Sequence, residues 1–155
     1  MVKIVFLCTG NSARSQIAEG FAKDLKEKLI KDKEMEILSA GVSPKPLNPL
    51  SIQVMAEKGI DLSNNKSKSI EDIDLTDADY IITLCGDARD NCPYVGAKTE
   101  NLHWDLLDPA NAEGSEDEKL NFFRKIRDEI EIEVKDFLKT FTSNDSSIGN
   151  RLPPN

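Results

Sequence analysis

The feature that most constrains the fold is the segment 8–15, Cys-Thr-Gly-Asn-Ser-Ala-Arg-Ser, which follows the apolar run 2–7 and precedes an amphipathic helical pattern. A strand that turns at once into a helix directs several backbone N–H groups at one point, and the helix N-terminus adds a partial positive charge. Such a turn is an anion-binding nest. The arrangement predicts a strand–loop–helix unit that holds a tetrahedral oxyanion above the Cys8 thiol.

The residues of this loop suit the capture of an anion and attack on it by sulfur. Gly10 permits a backbone conformation with positive φ, and its lack of a side chain keeps the loop open. The planar guanidinium of Arg14 can donate hydrogen bonds to two oxygens of the anion at once. A cation beside a helix N-terminus also favours the thiolate form of Cys8. The alternative interpretation is a small buried core cysteine beside an N-capping turn. The predicted anion-binding residues are Thr9, Gly10, Asn11, Ser12, Ala13, Arg14 and Ser15, and three of them (Thr9, Ser12 and Ser15) carry hydroxyls that can donate to the thiolate or the ligand.

Strand and helix patterns alternate along the chain. Asn48 has the character of an N-cap with Pro49 at the first helical position, and Ser115 begins a capping box. Alternation of this kind predicts one α/β domain with a four-stranded parallel sheet and helices on both faces, binding ligands at the carboxyl ends of its strands. The predicted strands are 2–7, 35–39, 79–84 and 100–105, and the predicted helices are 14–31, one from 49 that ends at Gly59, and one after Ser115.

Composition narrows the classes of function. The 155 residues suit one domain, which we place at 1–141, with a flexible Ser/Asn/Pro-rich tail at 142–155. The net charge of -8 argues against a nucleic-acid partner. No apolar run approaches the ~20 residues of a membrane span, and Met1 leads straight into a strand without a cleavage site. Three cysteines without a secretion signal indicate reactive thiols in the cytoplasm.

Two further cysteines follow the third predicted strand. If the strands of Cys8 and Cys85 are neighbours about 5 Å apart, both sulfurs emerge on the same rim of the sheet. Were the segment between Cys85 and Cys92 helical, their Cα atoms would lie about 10.5 Å apart, beyond the roughly 7 Å that a disulfide allows. Closing that bridge would require bending or unwinding, with Gly86 and Pro93 as hinge points. We therefore hypothesise a thiol relay, against the alternative of a buried strand cysteine and an exposed loop cysteine without function.

The reaction also needs an acid for the departing oxygen. Asp108 follows the fourth predicted strand and is expected at the same rim, while Asp105 is the near competitor. Either residue could instead cap local N–H groups in a turn. His103, the only histidine, is interpreted as structural or incidental, and no zinc-ligand cluster is present in the sequence.

Together these residues resemble the thioredoxin-coupled arsenate reductases of the low-molecular-weight tyrosine phosphatase superfamily over roughly residues 2–140. The resemblance rests on the loop 8–15, on Cys85 and Cys92, and on the turn at Asp108. It implies that Cys8 attacks arsenate held by the loop N–H groups and Arg14, while Asp108 protonates the departing oxygen. Cys85 then attacks the Cys8–arsenic adduct, arsenite leaves, and Cys92 moves the disulfide to Cys85–Cys92 for reduction by thioredoxin.

The same resemblance implies that Ser15 supports the Cys8 thiolate. It also implies a cytoplasmic monomer that needs no cofactor or metal, with arsenate as substrate, phosphate and sulfate as competing oxyanions, and thioredoxin rather than another thiol system as reductant. Two positions depart from the family pattern. Ala13 stands where many relatives have a further cysteine, and Lys68 occupies the acidic position of a potassium site that Asn11, Glu19 and Ser39 would otherwise match. The Lys68 ammonium is predicted to substitute for the ion.

Two other functions remain open from the residues. A phosphomonoesterase acting on phosphotyrosine or small esters would need Cys8, Arg14 and Asp108, but it would leave Cys85 and Cys92 idle. It would also lack an aromatic wall in the segment 42–47. A non-catalytic oxyanion-binding or redox-sensing module would bind arsenate or phosphate without turnover.

Overall fold

The computed structural model describes residues 1–142, and its centre is a sheet of four parallel strands. The strands are β1 (Val2–Cys8), β2 (Met35–Gly41), β3 (Tyr80–Thr83) and β4 (Glu100–His103). Their order across the sheet is β2-β1-β3-β4. The apolar side chains of β1 are buried on both faces, as is typical of a central parallel strand. The predicted single-domain α/β architecture with a four-stranded parallel sheet is confirmed.

Four helices flank this sheet. They are α1 (Arg14–Leu29), α2 (Pro49–Ala56), α3 (Gly86–Asn91) and α4 (Glu116–Lys139), and two short 3-10 turns occur at Ile70–Asp72 and Pro109–Asn111. The predicted caps are present. The Asn48 side chain accepts from the Leu50 N–H at 2.9 Å, and Ser115 with Glu118 forms the capping box at the start of α4. These caps satisfy N–H groups that a helix start leaves without a partner.

Some predicted boundaries differ from the observed ones. Helix α1 ends at Leu29 rather than near residue 31, and α2 ends at Ala56, after which a tightened turn leads to Gly59 with its positive φ of 76°. Strand β2 continues two residues further than predicted because its pairing with β1 extends to Cys8 opposite Gly41. The segment between Cys85 and Cys92, which the sequence left undecided, is the helix α3.

Helix α4 packs on the sheet through aromatic side chains. The ring of Phe137 meets Tyr80 of β3 edge-on, with centroids 5.1 Å apart, and Phe141 approaches the same tyrosine at 5.6 Å. Trp104 lies between Phe137 and Phe6 of β1, at 6.3 and 5.8 Å. Edge-to-face pairs of this kind add specific geometry to the burial of apolar area. Phe137 of α4 therefore belongs to the core, and Phe141, two residues beyond the end of α4, packs against it.

Helix α2 is fixed to α4 at one end and, at the other, to the segment 8–15, which we call the anion loop. At its C-terminal end, hydrogen bonds from Arg124 and Arg127 lower the pKa of the Glu57 carboxyl to about 2. At its N-terminal end the Asn48 N–H donates to the Ser12 carbonyl at 2.9 Å, and the Ser51 hydroxyl donates to the same oxygen at 3.2 Å. The loop after β1 is thus held from the side by a helix that is itself anchored in the core.

Within residues 1–142, no helix is both long and apolar enough to cross a membrane. The predicted C-terminal tail, 142–155, lies outside the described residues apart from Thr142.

Candidate active site

The segment 8–15 runs from the last residue of β1, through the connecting loop 9–13, into the first turn of α1, as the sequence predicts. Cys8 ends β1 with only 3% of its surface exposed. Its sulfur lies 2.8 Å from the Ser15 hydroxyl and accepts the Asn11 N–H at 3.3 Å. The N-cap of α1 is Ala13, which has no side chain able to cap the helix. The amides of the first turn are therefore available to an oxyanion.

The left-handed residue of this loop is Asn11, with φ of 49°, and not Gly10, which could have adopted that conformation without strain. Asn11 tolerates this conformation because its side chain is hydrogen-bonded on every side. Its amide nitrogen donates to Ser15 at 2.8 Å and to Ser39 at 2.9 Å. Its side-chain oxygen accepts the backbone N–H of Lys68 at 2.8 Å. Asn11 thus organises the loop, a role that the sequence analysis missed.

The chain that follows β2 runs alongside the loop. The N–H groups of Val42, Ser43 and Lys45 donate to the carbonyls of residues 8, 9 and 10 at 3.1, 2.8 and 2.9 Å. At Gly41 a Cβ atom would lie 2.6 Å from the Thr9 carbonyl oxygen and 2.8 Å from the Asn11 nitrogen. Only glycine fits there without moving the loop. The sequence signal that could have predicted this contact is a glycine, Gly41, just after the second predicted strand.

Arg14 and Asp108 meet beside the loop. The Arg14 side chain is buried, and its guanidinium donates to the Leu106 carbonyl at 3.0 Å. A second guanidinium nitrogen lies 3.5 Å from an Asp108 carboxylate oxygen. Asp108 also caps its own turn by accepting the Ala110 N–H at 3.0 Å. The side chain of Asp105, the alternative candidate for the acid, is 95% exposed and lies 4.0 Å from His103. Of the two aspartates, it is therefore Asp108 that contacts Arg14.

Cys85 lies at the carboxyl end of β3, on the strand next to β1. The pairing of Leu7 with Thr83 puts Cys8 and Cys85 at the same edge of the sheet. Cys85 is 6% exposed, and its sulfur lies 3.3 Å from the Thr9 hydroxyl. It also accepts the Ala88 N–H at 3.3 Å as the N-cap of α3. Thr9 therefore joins the second cysteine to the anion loop.

Cys92 lies at the far end of α3. Because the six residues Gly86–Asn91 are helical, a rise of 1.5 Å per residue separates Cys85 from Cys92 by about 10.5 Å, which is too far for a disulfide. Burial raises the pKa of the Cys92 thiol. Beyond it, Tyr94 is 80% exposed. The structure thus brings Cys85 to the loop and keeps Cys92 apart from it.

The residues that match a potassium site do not fit the ion here. The Ser39 hydroxyl donates to the Glu19 carboxylate. Lys23 contacts the same carboxylate at 2.6 Å and the Lys68 ammonium lies 3.9 Å from it. Two ammonium groups therefore already face the one acidic side chain that would balance a cation. Within the described chain, no group of three His, Cys, Asp or Glu side chains could hold a metal ion.

His103 lies away from the anion loop. Its Nδ1 is 2.7 Å from the Thr83 hydroxyl, whereas its buried Nε2 has no hydrogen-bond partner within residues 1–142. Thr83 and His103 pair across β3 and β4. These contacts agree with the structural interpretation of His103.

Comparisons with known proteins agree with this geometry. A family model described as low molecular weight phosphotyrosine protein phosphatase matches residues 3–147. An arsenate reductase of Bacillus subtilis (strain 168) is 47% identical over 137 residues, which cover 88% of this chain and 95% of that protein. The solved structure of an arsenate reductase in the phosphate binding state has a TM-score of 0.74 at 32% identity, covering 92% of this chain and 100% of the other. A thioredoxin-dependent arsenate reductase of Corynebacterium glutamicum has a TM-score of 0.68 at 26% identity, covering 90% of this chain and 61% of that one.

Proposed function

The chain belongs to the low molecular weight phosphotyrosine protein phosphatase family, and on that premise we propose that it reduces arsenate to arsenite through a relay of Cys8, Cys85 and Cys92. The names of its relatives support arsenate as the substrate. The observation that carries the proposal is the 3.3 Å contact between Cys85 and Thr9 of the anion loop. A phosphatase has no use for a second thiol at that position.

In the first step, the Cys8 thiolate attacks the arsenic atom and an As–O bond breaks. Arg14 and the loop amides hold the remaining oxygens, and Asp108 donates the proton with which the departing oxygen leaves as water. Asp108 suits this task because its carboxyl lies 3.5 Å from the guanidinium that grips the substrate. The product is a covalent Cys8–arsenate adduct.

In the second step, the Cys85 thiolate attacks the Cys8 sulfur. A disulfide forms, the S–As bond breaks, and its electron pair remains on arsenic, which leaves as arsenite. The two thiols have supplied two electrons. The Thr9 hydroxyl can stabilise the Cys85 thiolate by hydrogen bonding across their 3.3 Å separation.

In the third step, Cys92 attacks Cys85 and Cys8 leaves as a thiolate. Helix α3 must unwind for this attack, because its six residues hold the two cysteines apart. The helix is short, and of its residues only Ala88 is buried, so little apolar packing opposes unwinding. The new Cys85–Cys92 disulfide then accepts two electrons from a dithiol such as thioredoxin.

Thioredoxin is the reductant that we propose, and the description of the Corynebacterium glutamicum relative supports it. A thiol relay of this kind operates in a reducing compartment, which favours the cytoplasm. We propose that the protein acts as a monomer, since the residues of the relay all come from one chain.

The second candidate is phosphomonoester hydrolysis by Cys8, Arg14 and Asp108, which the family match favours. The segment 42–47 contains no aromatic side chain against which a phenyl ring could stack. A third candidate is oxyanion binding without turnover. Titration of free thiols before and after addition of arsenate distinguishes the relay from both alternatives, because only the relay consumes thiols.

The decisive experiment measures arsenite release with thioredoxin, thioredoxin reductase and NADPH. We expect sustained turnover for the wild type and about one turnover for Cys92→Ser, which stops as the Cys8–Cys85 disulfide. Cys85→Ser should release no arsenite, and it serves as the matched control for loss of a cysteine. Equal multiple turnover in the wild type and Cys92→Ser would contradict the relay.

A further inference from the structure

A cleft of about 430 Å³ lies beside the anion loop, between the segments 44–47 and 65–67. It carries two exposed lysines, Lys45 and Lys66, one on each segment. The cleft does not contain the sulfur nucleophiles, so the steps proposed above do not use it.

Both lysines are carried by backbone that is fastened directly to the loop. The Lys45 N–H donates to the Gly10 carbonyl at 2.9 Å. The Lys66 carbonyl accepts from the Gln16 side chain at 3.1 Å, and the Ser67 hydroxyl donates to the Asn11 carbonyl at 2.8 Å. The Lys45 side chain lies directly against the loop, because a Cβ atom placed on Gly10 would be 3.5 Å from the Lys45 Cβ. Lys66 lines the same cleft beside the loop.

The charges of these lysines are not neutralised locally. Lys23 and Lys68 both contact Glu19, whereas Lys45 and Lys66 form no ion pair within residues 1–142. The whole chain carries a net charge of -8. A protein so acidic repels a dianion at long range, and a local positive field at the entrance overcomes that repulsion.

We propose that Lys45 and Lys66 form a positively charged entrance that draws tetrahedral oxyanions into the loop. The entrance acts before the chemistry, so it raises kcat/KM and the affinity for the anion but leaves kcat unchanged. Its use for arsenate rests on the proposed function, whereas its effect on phosphate binding does not. A long-range electric field acts on the charge of an oxyanion and not on its central atom. The affinities for arsenate, phosphate and sulfate should therefore all be raised.

The test reverses both charges in Lys45→Glu/Lys66→Glu and compares this variant with Lys33→Glu/Lys98→Glu. The control changes the net charge by the same amount, but Lys33 and Lys98 precede β2 and β4 and therefore lie at the opposite edge of the sheet. Two readouts are needed: kcat/KM for arsenate, and the dissociation constant of phosphate by calorimetry. Both are measured at about 20 mM and about 500 mM ionic strength, which span weak and strong screening.

At low ionic strength, the entrance variant should lose about ten-fold in kcat/KM and in phosphate affinity, with kcat unchanged, and the loss should shrink to under about two-fold at high ionic strength. The control should lose less than about two-fold at either. Equal losses in the two variants, or a loss that survives high salt, would overturn the proposal. If phosphate affinity responds as described but no arsenite is formed by the wild type, the entrance stands and the proposed reduction fails.

Discussion

The hydroxyl of Ser15, in the first turn of α1, lies 2.8 Å from the sulfur of Cys8 at the end of β1, and both residues are buried. The Asn11 amide donates to the same hydroxyl at 2.8 Å, so the Ser15 proton is directed at the sulfur. A hydrogen bond donated to a thiolate stabilises the charged form. Ser15 is therefore placed to keep Cys8 reactive.

Ser15→Ala should slow alkylation of Cys8 by iodoacetamide at pH 7 by roughly ten- to a hundred-fold, since a charge-assisted hydrogen bond contributes about 1.5–3 kcal/mol. Arsenate reduction should fall by a similar factor. The control is Ser43→Ala, on the neighbouring loop, whose hydroxyl makes no hydrogen bond within the described residues. Alkylation at the wild-type rate in Ser15→Ala would show that the hydroxyl does not activate Cys8.

Gly41→Ala should strongly weaken phosphate binding while the chain remains folded. The added methyl would lie 2.6 Å from the Thr9 carbonyl oxygen, so the loop must shift. Calorimetry should show at least about a hundred-fold loss of phosphate affinity, because anion recognition depends on amides held in place. Gly86→Ala is the control, since a Cβ there meets only the end of Arg89 at 3.4 Å. Wild-type phosphate affinity in Gly41→Ala would disprove the close packing at this glycine.

Potassium should affect the wild-type protein little, because the Lys68 ammonium already lies 3.9 Å from the Glu19 carboxylate. Thermal unfolding and activity should be the same in potassium and sodium chloride at equal ionic strength. Lys68→Asp removes the cation and adds a carboxylate, so this variant should unfold at a lower temperature and regain several degrees in potassium but not in sodium. Severalfold activation of the wild type by potassium at constant ionic strength would contradict the substitution of lysine for the ion.

The third step of the relay should accelerate with pH. Burial raises the pKa of the Cys92 thiol, so at neutral pH most of this thiol is protonated. As long as the pH stays below that pKa, each increase of one pH unit raises the thiolate fraction about ten-fold. Between pH 6.5 and 8.5, reappearance of free Cys8 after a single turnover should become about a hundred times faster. Rapid quenching, alkylation and mass spectrometry measure it.

The matched control for this pH dependence is arsenite release from Cys92→Ser, which ends before the third step and should depend on pH less steeply. A rate of Cys8 release that stays constant from pH 6.5 to 8.5 would mean that unwinding of α3, and not ionisation of Cys92, limits the relay.

Much of the site was predictable because its parts are local in sequence. The strand, the loop and the helix start follow one another within residues 2–15, so their geometry depends on neighbouring residues. The same holds for the caps at Asn48 and Ser115, where a side chain bonds a backbone N–H two or three residues away. The left-handed position of the loop was not predictable in this way, because Gly10 permits that conformation but tertiary hydrogen bonds stabilise it at Asn11.

The order of residues in the chain determined the loop that follows Cys8 and the alternation of strands and helices, because each depends on short-range backbone geometry and apolar periodicity. Packing alone placed Asp108 rather than Asp105 beside Arg14, joined Thr9 to Cys85, and brought Gly41 against the loop. These contacts join residues as many as 94 positions apart, as Arg14 and Asp108 are. They depend on strand order and on how the connecting segments turn, which are properties of the whole folded chain and not of any single segment.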